Sequence, residues 1–316
     1  MREQMILFAV GLTALTLGAD WLVTGSARVA SQRGVSPLMV GLTIVAFGTS
    51  APELVVSAAA ALRGQSGLAV GNVMGSTVAN VGLIIGIGAV IRPLSVNRRL
   101  LRREGPLMIL ILAFVLVLSA NGRIDRIDGF LLLVGFTLYL VYLFRWGRHD
   151  PDLRRTDVEI ARAKGDPEGR GAWLNWSRVV LGLILLLLGA DWLVDSAVSL
   201  AQQFEVPEEV IGATLVAVGT SVPELASTIA AAARGLGDIA IGNVIGSNIF
   251  NLGLVLGTAS LLAPLELSRL ALVTEVLPAL AFCVFLIPLA YTGSRVSRAE
   301  GSLLLAGYGA FLLALF

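Results

Sequence analysis

The chain has 316 residues, of which 56% are hydrophobic and only 14% are charged, and its mean hydropathy is +0.84. These values exclude an ordinary soluble globular protein, which carries about 25% charged residues, and favour a membrane protein with several spanning helices. The net charge of +1 offers no field for nucleic acid, and a single cysteine (Cys283) and a single histidine (His149) exclude a disulfide framework or a Cys/His metal cluster.

Ten successive segments are apolar and long enough to cross the ~30 Å hydrocarbon core of a bilayer, although the fourth is short. Gly, Pro and polar residues interrupt the second, third, seventh and eighth segments. The polar stretch 146–176 is predicted to connect two halves, 1–145 and 177–316, and to include a short surface helix at 155–164. The predicted segments are 4–28, 37–62, 68–91, 106–120, 127–145, 177–201, 208–233, 239–263, 270–292 and 299–316.

An internal repeat relates the two halves: adding 171 to any position from Gly18 to Pro93 gives its counterpart without a gap. The repeat includes the first segment, whose GADWLV at 18–23 returns at 189–194, so we predict a retained helix rather than a cleaved signal peptide. Five crossings separate the copies, and because five is odd, the second copy enters the membrane from the opposite side. The predicted fold is therefore an all-α membrane protein with two inverted-topology repeats of five helices, a class that binds its substrate near the midplane.

The basic residues predict the orientation of the chain. Of the 23 Lys and Arg residues, 18 fall in segments on one side of the predicted membrane. Cytoplasmic loops carry such an excess. We therefore expect both termini outside the cell and the connector 146–176 in the cytoplasm, with the chain in the cell (inner) membrane.

Two repeat-related motifs, GTSAPEL from Gly48 and GTSVPEL from Gly219, place a glutamate in the middle of an apolar segment. Helical spacing puts hydroxyl groups on the same face as each glutamate, and Pro52 and Pro223 remove a backbone donor and free carbonyl groups nearby. The polar residues predicted at midplane depth are Thr49, Ser50, Glu53, Asn72, Ser76 and Asn80 in the first copy, and Thr220, Ser221, Glu224, Asn243, Ser247 and Asn251 in the second.

This predicted set consists of oxygen ligands only, the kind that hard cations such as Ca²⁺ prefer. An ionised carboxylate at the bilayer centre costs roughly 2.5–3.5 kcal/mol, and the nearest basic residues in sequence, Arg63 and Arg234, lie about ten residues away, roughly 15 Å along a helix. A bound cation or a proton is the expected counter-charge of Glu53 and Glu224.

Other polar and small residues favour structural roles. Single Ser, Thr and Asn side chains often join membrane helices by hydrogen bonds, and the GxxxG pairs 71/75, 82/86, 242/246 and 253/257 predict close helix packing. Asp20 and Asp191 lie one repeat apart and could either gate the site or tie a helix end to a neighbour.

With these motifs the sequence resembles the cation/calcium exchanger superfamily, specifically the prokaryotic sodium/calcium exchangers. The resemblance rests on the duplicated GTSxPEL and GNxxGSxxxN motifs, in regions of about 36–94 and 207–265. It implies no cofactor, and first and sixth helices that slide across the rest. It also implies ion binding by Thr49, Ser50, Glu53, Ser76, Asn80, Thr220, Ser221, Glu224, Ser247 and Asn251, with possible backbone carbonyl ligands at Ala46 and Ala217.

Two positions depart from the family pattern: Thr77 stands where Asn is expected, and Asn251 stands where many relatives carry Asp. The second departure lowers the negative charge of the centre and puts potassium co-transport in doubt.

The preferred hypothesis is an antiporter, not an enzyme, in which Na⁺ and Ca²⁺ compete for one central site. A Ca²⁺/H⁺ antiporter on the same fold is the alternative, since burial favours the protonated acid. A cation channel needs no matched two-sided site, and an intramembrane serine enzyme lacks a base beside Ser50 or Ser221. The expected partners are Ca²⁺, Na⁺ and the lipid bilayer, with H⁺ as a partner in the alternative hypothesis, but no nucleic acid.

Overall fold

The structure, a computed structural model, describes residues 2–33, 36–146, 172–204 and 219–315, nearly all of them helical. The predicted surface helix at 155–164 and Ala217 lie outside these ranges. In the first half the helices are α1 (Arg2–Arg33), α2 (Pro37–Val40), α3 (Ala46–Thr49), α4 (Ala51–Leu62), α5 (Ser66–Ala79), α6 (Gly86–Ile91), α7 (Arg98–Arg102), α8 (Glu104–Leu118) and α9 (Arg126–Trp146).

The second half repeats this order where it is described. Its helices are α10 (Ala172–Gln203), α11 (Val222–Ala233), α12 (Gly237–Phe250), α13 (Leu256–Leu262), α14 (Arg269–Ala271), α15 (Leu277–Tyr291) and α16 (Arg298–Leu315). Short π-helical segments join neighbouring helices at Gly41–Val45, Asn80–Ile85, Asn251–Val255 and Leu272–Val276, and 3₁₀ turns follow α8 and α15 at Ser119–Asn121 and Thr292–Ser294.

Within the described residues, seven helices are long and apolar enough to cross a membrane, and a bent pair, Leu38–Thr49 and Ala51–Leu62, could supply an eighth. The fourth predicted segment is longer than expected. It spans Leu100–Asn121, because the arginine-rich residues before 106 are also largely helical. The sixth begins at Ala172 rather than 177, so the predicted connector loses its last residues to a helix.

Two small antiparallel strand pairs join the halves of the chain. β1 (Leu94–Ser95) pairs with β4 (Arg295–Val296), and β2 (Arg123–Ile124) pairs with β3 (Leu265–Glu266). Each strand has only two residues, too few for an alternating pattern to be recognised in the sequence. These pairs tie each half to the end of a helix in the other.

The interior of the bundle is formed by two repeat-related helical stretches, Ser66–Ile91 and Gly237–Leu262. In the most apolar part of these stretches, 72% and 94% of the residues are buried, respectively, whereas in the corresponding part of Arg126–Arg145 only 28% are buried. The outer helices expose large apolar side chains, as a surface facing lipid requires. The central stretches carry the predicted Asn and Ser residues, so these side chains lie in the core of the bundle.

Glycines bring helix backbones into contact, but not at every predicted pair. A Cβ at Gly246 would lie 2.8 Å from Ala46 Cβ, and one at Gly253 would lie 2.9 Å from Phe136 Cβ. By contrast, a Cβ at Gly75 would meet no atom within 4 Å, and one at Gly71 would meet only the Glu275 carboxyl group, at 3.7 Å or more. The 71/75 pair therefore does not serve close packing, and that prediction is wrong.

Candidate functional site

Each GTSxPEL motif contains a turn at its serine, and the helix that carries the glutamate begins directly after it. Ser50 (φ −82°, ψ 6°) separates α3 from α4, and the helical stretches Leu38–Thr49 and Ala51–Leu62 on either side of it differ in direction by 46°. Pro52 lies at the start of α4, where its missing N–H costs little, and Glu53 follows in the first helical turn. Ser221, with φ −93° and ψ 6°, precedes α11 in the same way, so Glu224 occupies the equivalent first turn. The motif thus directs each carboxylate from a helix break into the bundle.

The carboxylate of Glu53 is fully buried and contacts hydroxyl groups from both halves. Its Oε1 accepts hydrogen bonds from Ser76 Oγ at 3.5 Å and from Ser221 Oγ at 3.4 Å. Both are longer than the usual O–H···O distance of about 2.7–2.8 Å. Oε2 is buried and has no hydrogen-bond partner among the described residues, so those residues surround the carboxylate with oxygen but do not saturate it with donors.

Glu224 has the repeat-related set of contacts. Its Oε1 accepts from Ser50 Oγ at 3.2 Å and from Ser247 Oγ at 3.5 Å, and its Oε2 is likewise buried without a partner. The two carboxylates also interact electrostatically with each other. Each glutamate therefore depends on one serine of its own half and one of the other.

Two asparagines form hydrogen bonds with the threonines of the motifs, and each of these bonds also joins the two halves of the chain. Thr49 Oγ1 donates to Asn243 Oδ1 at 3.3 Å, and Thr220 Oγ1 donates to Asn72 Oδ1 at 3.2 Å. Thr49 Oγ1 also lies 3.5 Å from Ser247 Oγ. Most of the predicted midplane hydroxyls and amides thus belong to two hydrogen-bonded groups, one around each glutamate, and each group contains residues of both halves.

Sequence reasoning missed the residues that orient these asparagines. Asn72 Nδ2 donates to Ser57 Oγ at 2.9 Å, and Asn243 Nδ2 donates to Ser227 Oγ at 3.0 Å and to Thr228 Oγ1 at 3.3 Å. A signal was present, because Ser57 and Thr228 are hydroxyl residues one helical turn after each glutamate and are equivalent in the repeat. Their role is to fix each amide so that its oxygen faces the threonine.

The last predicted residues of each set, Asn80 and Asn251, begin the two repeat-related π segments and are fully buried. Their contacts differ. Asn80 Nδ2 donates to Asn248 Oδ1 at 2.9 Å, whereas neither polar side-chain atom of Asn251 has a partner in the part of the chain that the structure describes. The difference follows from the departure at Thr77, whose hydroxyl donates to its own helix at Val73 O instead.

The remaining predicted residues divide between the centre and its surroundings. The carbonyl of Ala46 already accepts Ser50 N at 3.0 Å and Thr49 Oγ1 at 3.4 Å, so it is less free than expected. Asp20 lies away from the cluster and forms an ion pair with Arg234, while Asp191 is exposed. Neither aspartate joins the central oxygen cluster.

The centre therefore combines two buried carboxylates with hydroxyl and amide oxygens. Among the described residues, neither glutamate forms an ion pair and no three His, Cys, Asp or Glu side chains come together. A buried carboxylate oxygen without a partner is costly. Hard cations prefer such oxygen sets, and one divalent or two monovalent ions would balance two negative charges.

Comparisons with known proteins agree over nearly the whole chain. A family model described as "Sodium/calcium exchanger protein" matches residues 3–145 and 174–316. The putative antiporter CaxA of Alkalimonas amylolytica is 38% identical over 323 residues, covering 100% of this chain and 99% of that protein. The sodium/calcium exchanger MaX1 of Methanosarcina acetivorans is 33% identical, covering 99% of this chain and 98% of that protein.

Solved structures show the same architecture. The sodium-calcium exchanger NCX_Mj, soaked with 10 mM Na⁺ and 10 mM Sr²⁺, superposes with a TM-score of 0.85 at 33% sequence identity, covering 99% of this chain and 98% of that chain. The chain is therefore similar to exchangers and antiporters in both sequence and fold.

Proposed function

Because the chain belongs to the sodium/calcium exchanger protein family, as the motifs predicted, we propose that it exchanges Na⁺ for Ca²⁺ across the membrane at the centre built around Glu53 and Glu224. The observation that carries the proposal is the pair of buried Oε2 atoms for which the described residues offer no hydrogen bond. A transported cation is the counter-charge that such a pair needs in a region of low dielectric.

The proposed ligands come in repeat-related sets around the two carboxylates. Glu53 and Glu224 supply the charge, and hydroxyl, amide and backbone oxygens replace the water of the ion. The proposed ion-binding residues are Ala46, Thr49, Ser50, Glu53, Ser76 and Asn80, with Ala217, Thr220, Ser221, Glu224, Ser247 and Asn251. Asn251 is supported by its two unpartnered polar atoms. Ala217 rests on the motif alone, because it lies outside the described residues.

Competition for this one site supplies the coupling. Two carboxylates are neutralised by one Ca²⁺ or by two Na⁺, and either load would allow the helices to close around the site. Without an ion, the carboxylates interact unfavourably with each other and with their apolar surroundings, and closure is disfavoured. An inward Na⁺ gradient would then expel Ca²⁺ without the two ions ever meeting.

Alternating access needs a fold that can open to either side. We propose ten crossings arranged as two inverted five-helix repeats, 1–145 and 177–316, joined by the cytoplasmic connector 146–176. The charge bias of the loops supports this orientation, with both termini outside. The near-identical contacts around Glu53 and Glu224 support a pseudo-two-fold relation between the halves.

A Ca²⁺/H⁺ antiporter is the second candidate. The unpartnered Oε2 atoms could carry protons instead of facing Na⁺, and the relative CaxA bears the broader description of an antiporter. The fold and the site would be the same, and only the driving ion would differ.

Purified protein in Na⁺-loaded liposomes, diluted into Na⁺-free buffer, tests both candidates by the uptake of labelled Ca²⁺. Uptake that requires internal Na⁺ and ignores an imposed pH gradient is expected. Uptake driven by the pH gradient alone would assign proton coupling. The double variant Glu53→Gln with Glu224→Gln should be inactive, whereas Glu266→Gln, at an exposed strand position, should retain uptake; exchange by the double variant would overturn the proposed site.

A further inference from the structure

An ion pair outside the central site links α1 to the residue that follows the end of α11. Arg234 Nε donates to Asp20 Oδ1 at 2.7 Å, and Nη2 contacts the same oxygen. The two side chains are 39% and 37% exposed. Exposed ion pairs contribute little to the stability of a fold, so stability alone does not explain a contact between residues 214 positions apart.

The repeat places a second pair at equivalent positions. Asp191 and Arg63 are the counterparts of Asp20 and Arg234 at the constant offset of 171. Both side chains are exposed, and in the part of the chain that the structure describes they form no ion pair. One of two equivalent pairs is therefore formed while the other is broken.

The helices that carry these residues show the same asymmetry. α1, which carries Asp20, packs along α11, which ends just before Arg234. The equivalent helices α10 and α4 have almost no contact. Among the described residues, the α1–α10 unit is thus packed against a motif helix at one end and not at the other, independently of where the charged side chains point.

Close backbone packing makes α1 and α10 a single rigid unit. They pack antiparallel through glycines: a Cβ at Gly11 would lie 2.8 Å from Leu193 N, and one at Gly182 would lie 2.9 Å from Gly18 O. Backbones this close leave no room for one helix to move without the other. A displacement that brings Asp191 towards Arg63 would therefore carry Asp20 away from Arg234.

We propose that Asp20–Arg234 and Asp191–Arg63 are alternating ion pairs, and that these four positioning residues determine the side to which the central site opens. The proposal rests on the alternating access proposed above. In the proposed orientation Arg234 is cytoplasmic and Arg63 external. The structure therefore has its cytoplasmic pair formed and its external pair broken, and exchange breaks one pair as it forms the other.

Cross-linking tests the alternation directly. On a Cys283→Ser background, one variant carries Asp20→Cys with Arg234→Cys, and the other carries Asp191→Cys with Arg63→Cys. In each variant the two cysteines lie on opposite sides of the connector 146–176. Cleavage at a protease site placed in the connector therefore separates the halves on a denaturing gel unless a short bifunctional thiol reagent has joined them.

Both variants should cross-link in membranes, and either cross-link should stop Ca²⁺ uptake. Cross-linking of 20/234 alone, while 191/63 never reacts in a protein that still exchanges, would overturn the proposal. The cross-linking yield does not depend on which ion drives transport. Alternation under a pH gradient would therefore sustain the inference even if sodium coupling failed.

Neutralising variants provide a second, kinetic readout. Asp20→Asn should favour the inward-facing state and raise the external KM for Ca²⁺ by up to about fivefold, the range expected for an exposed pair. Asp191→Asn should lower this external KM or leave it unchanged. The charge exchange Asp20→Arg with Arg234→Asp rebuilds the cytoplasmic pair and should return the external KM to that of the unmodified chain. The exposed Asp195 provides the control Asp195→Asn, with no expected change. Equal shifts from Asp20→Asn and Asp191→Asn would contradict the alternation.

Discussion

The hydroxyl of Ser50 donates a 3.2 Å hydrogen bond to the carboxylate of Glu224, although the two residues lie in opposite halves of the chain. The reciprocal bond runs from Ser221 to Glu53 at 3.4 Å. Neither half can therefore complete a carboxylate site alone. Any movement between the halves changes the environment of both charges together.

The two serines that form hydrogen bonds between the halves should contribute to ion affinity. We expect Ser50→Ala and Ser221→Ala each to weaken Ca²⁺ binding about tenfold, because these long hydrogen bonds should contribute at the lower end of the range of about 1.5–3 kcal/mol for a bond to a charged group. Titration calorimetry on the purified protein measures the change. Ser302→Ala, at an exposed position of α16, is the control, and an unchanged Kd for both site variants would contradict the assigned contacts.

The empty carboxylate pair should make the protein less stable than its ion-loaded form. Ca²⁺ at one hundred times its Kd should stabilise the folded state by about 2.7 kcal/mol, with a corresponding rise in Tm. The double variant Glu53→Gln with Glu224→Gln should show no such rise, and its Tm without ions should equal or exceed that of the unmodified chain, since two buried charges are gone. A Ca²⁺-dependent rise that persists in the double variant would place the binding site elsewhere.

Close packing of α1 against α10 should be intolerant of a single added methyl group. A Cβ at Gly182 would lie 2.5 Å from Leu22 N, so Gly182→Ala must displace backbone and should cost about 3 kcal/mol of unfolding free energy. Gly309→Ala, where a Cβ meets nothing within 4 Å, should be neutral or slightly stabilising. Thermal unfolding compares the two, and equal Tm values would argue against the backbone contact.

Replacing Asn251 with an acidic residue should strengthen Ca²⁺ binding. Its amide is fully buried without a partner, so Asn251→Asp would add a third carboxylate to the centre. Attraction to a divalent ion should outweigh the added burial cost and lower the Kd for Ca²⁺ by about tenfold. Calorimetry with Ca²⁺ and with Na⁺ measures the preference. The comparison variant is Asn248→Asp, whose amide oxygen already accepts a bond from Asn80, and a larger gain there would contradict the assignment.

Much of the candidate site could be predicted because its signals are local. A proline followed by a glutamate in an apolar segment is a property of a short stretch of chain, and the offset of 171 residues emerges when two such stretches are compared. Hydrophobic length predicts where a helix crosses lipid regardless of its neighbours. The family, its membrane location and most of the residues that meet at the centre therefore follow from the sequence by itself.

The tertiary structure alone decided which partners these residues find. Equivalent sequences need not have equivalent contacts: among the described residues, Asp20 forms an ion pair and Asp191 does not. The anchoring role of Ser57 and the two-residue strands between the halves were likewise invisible until distant segments were brought together. The physical reason is that contacts between distant segments depend on how the helices pack, which no short stretch of chain specifies.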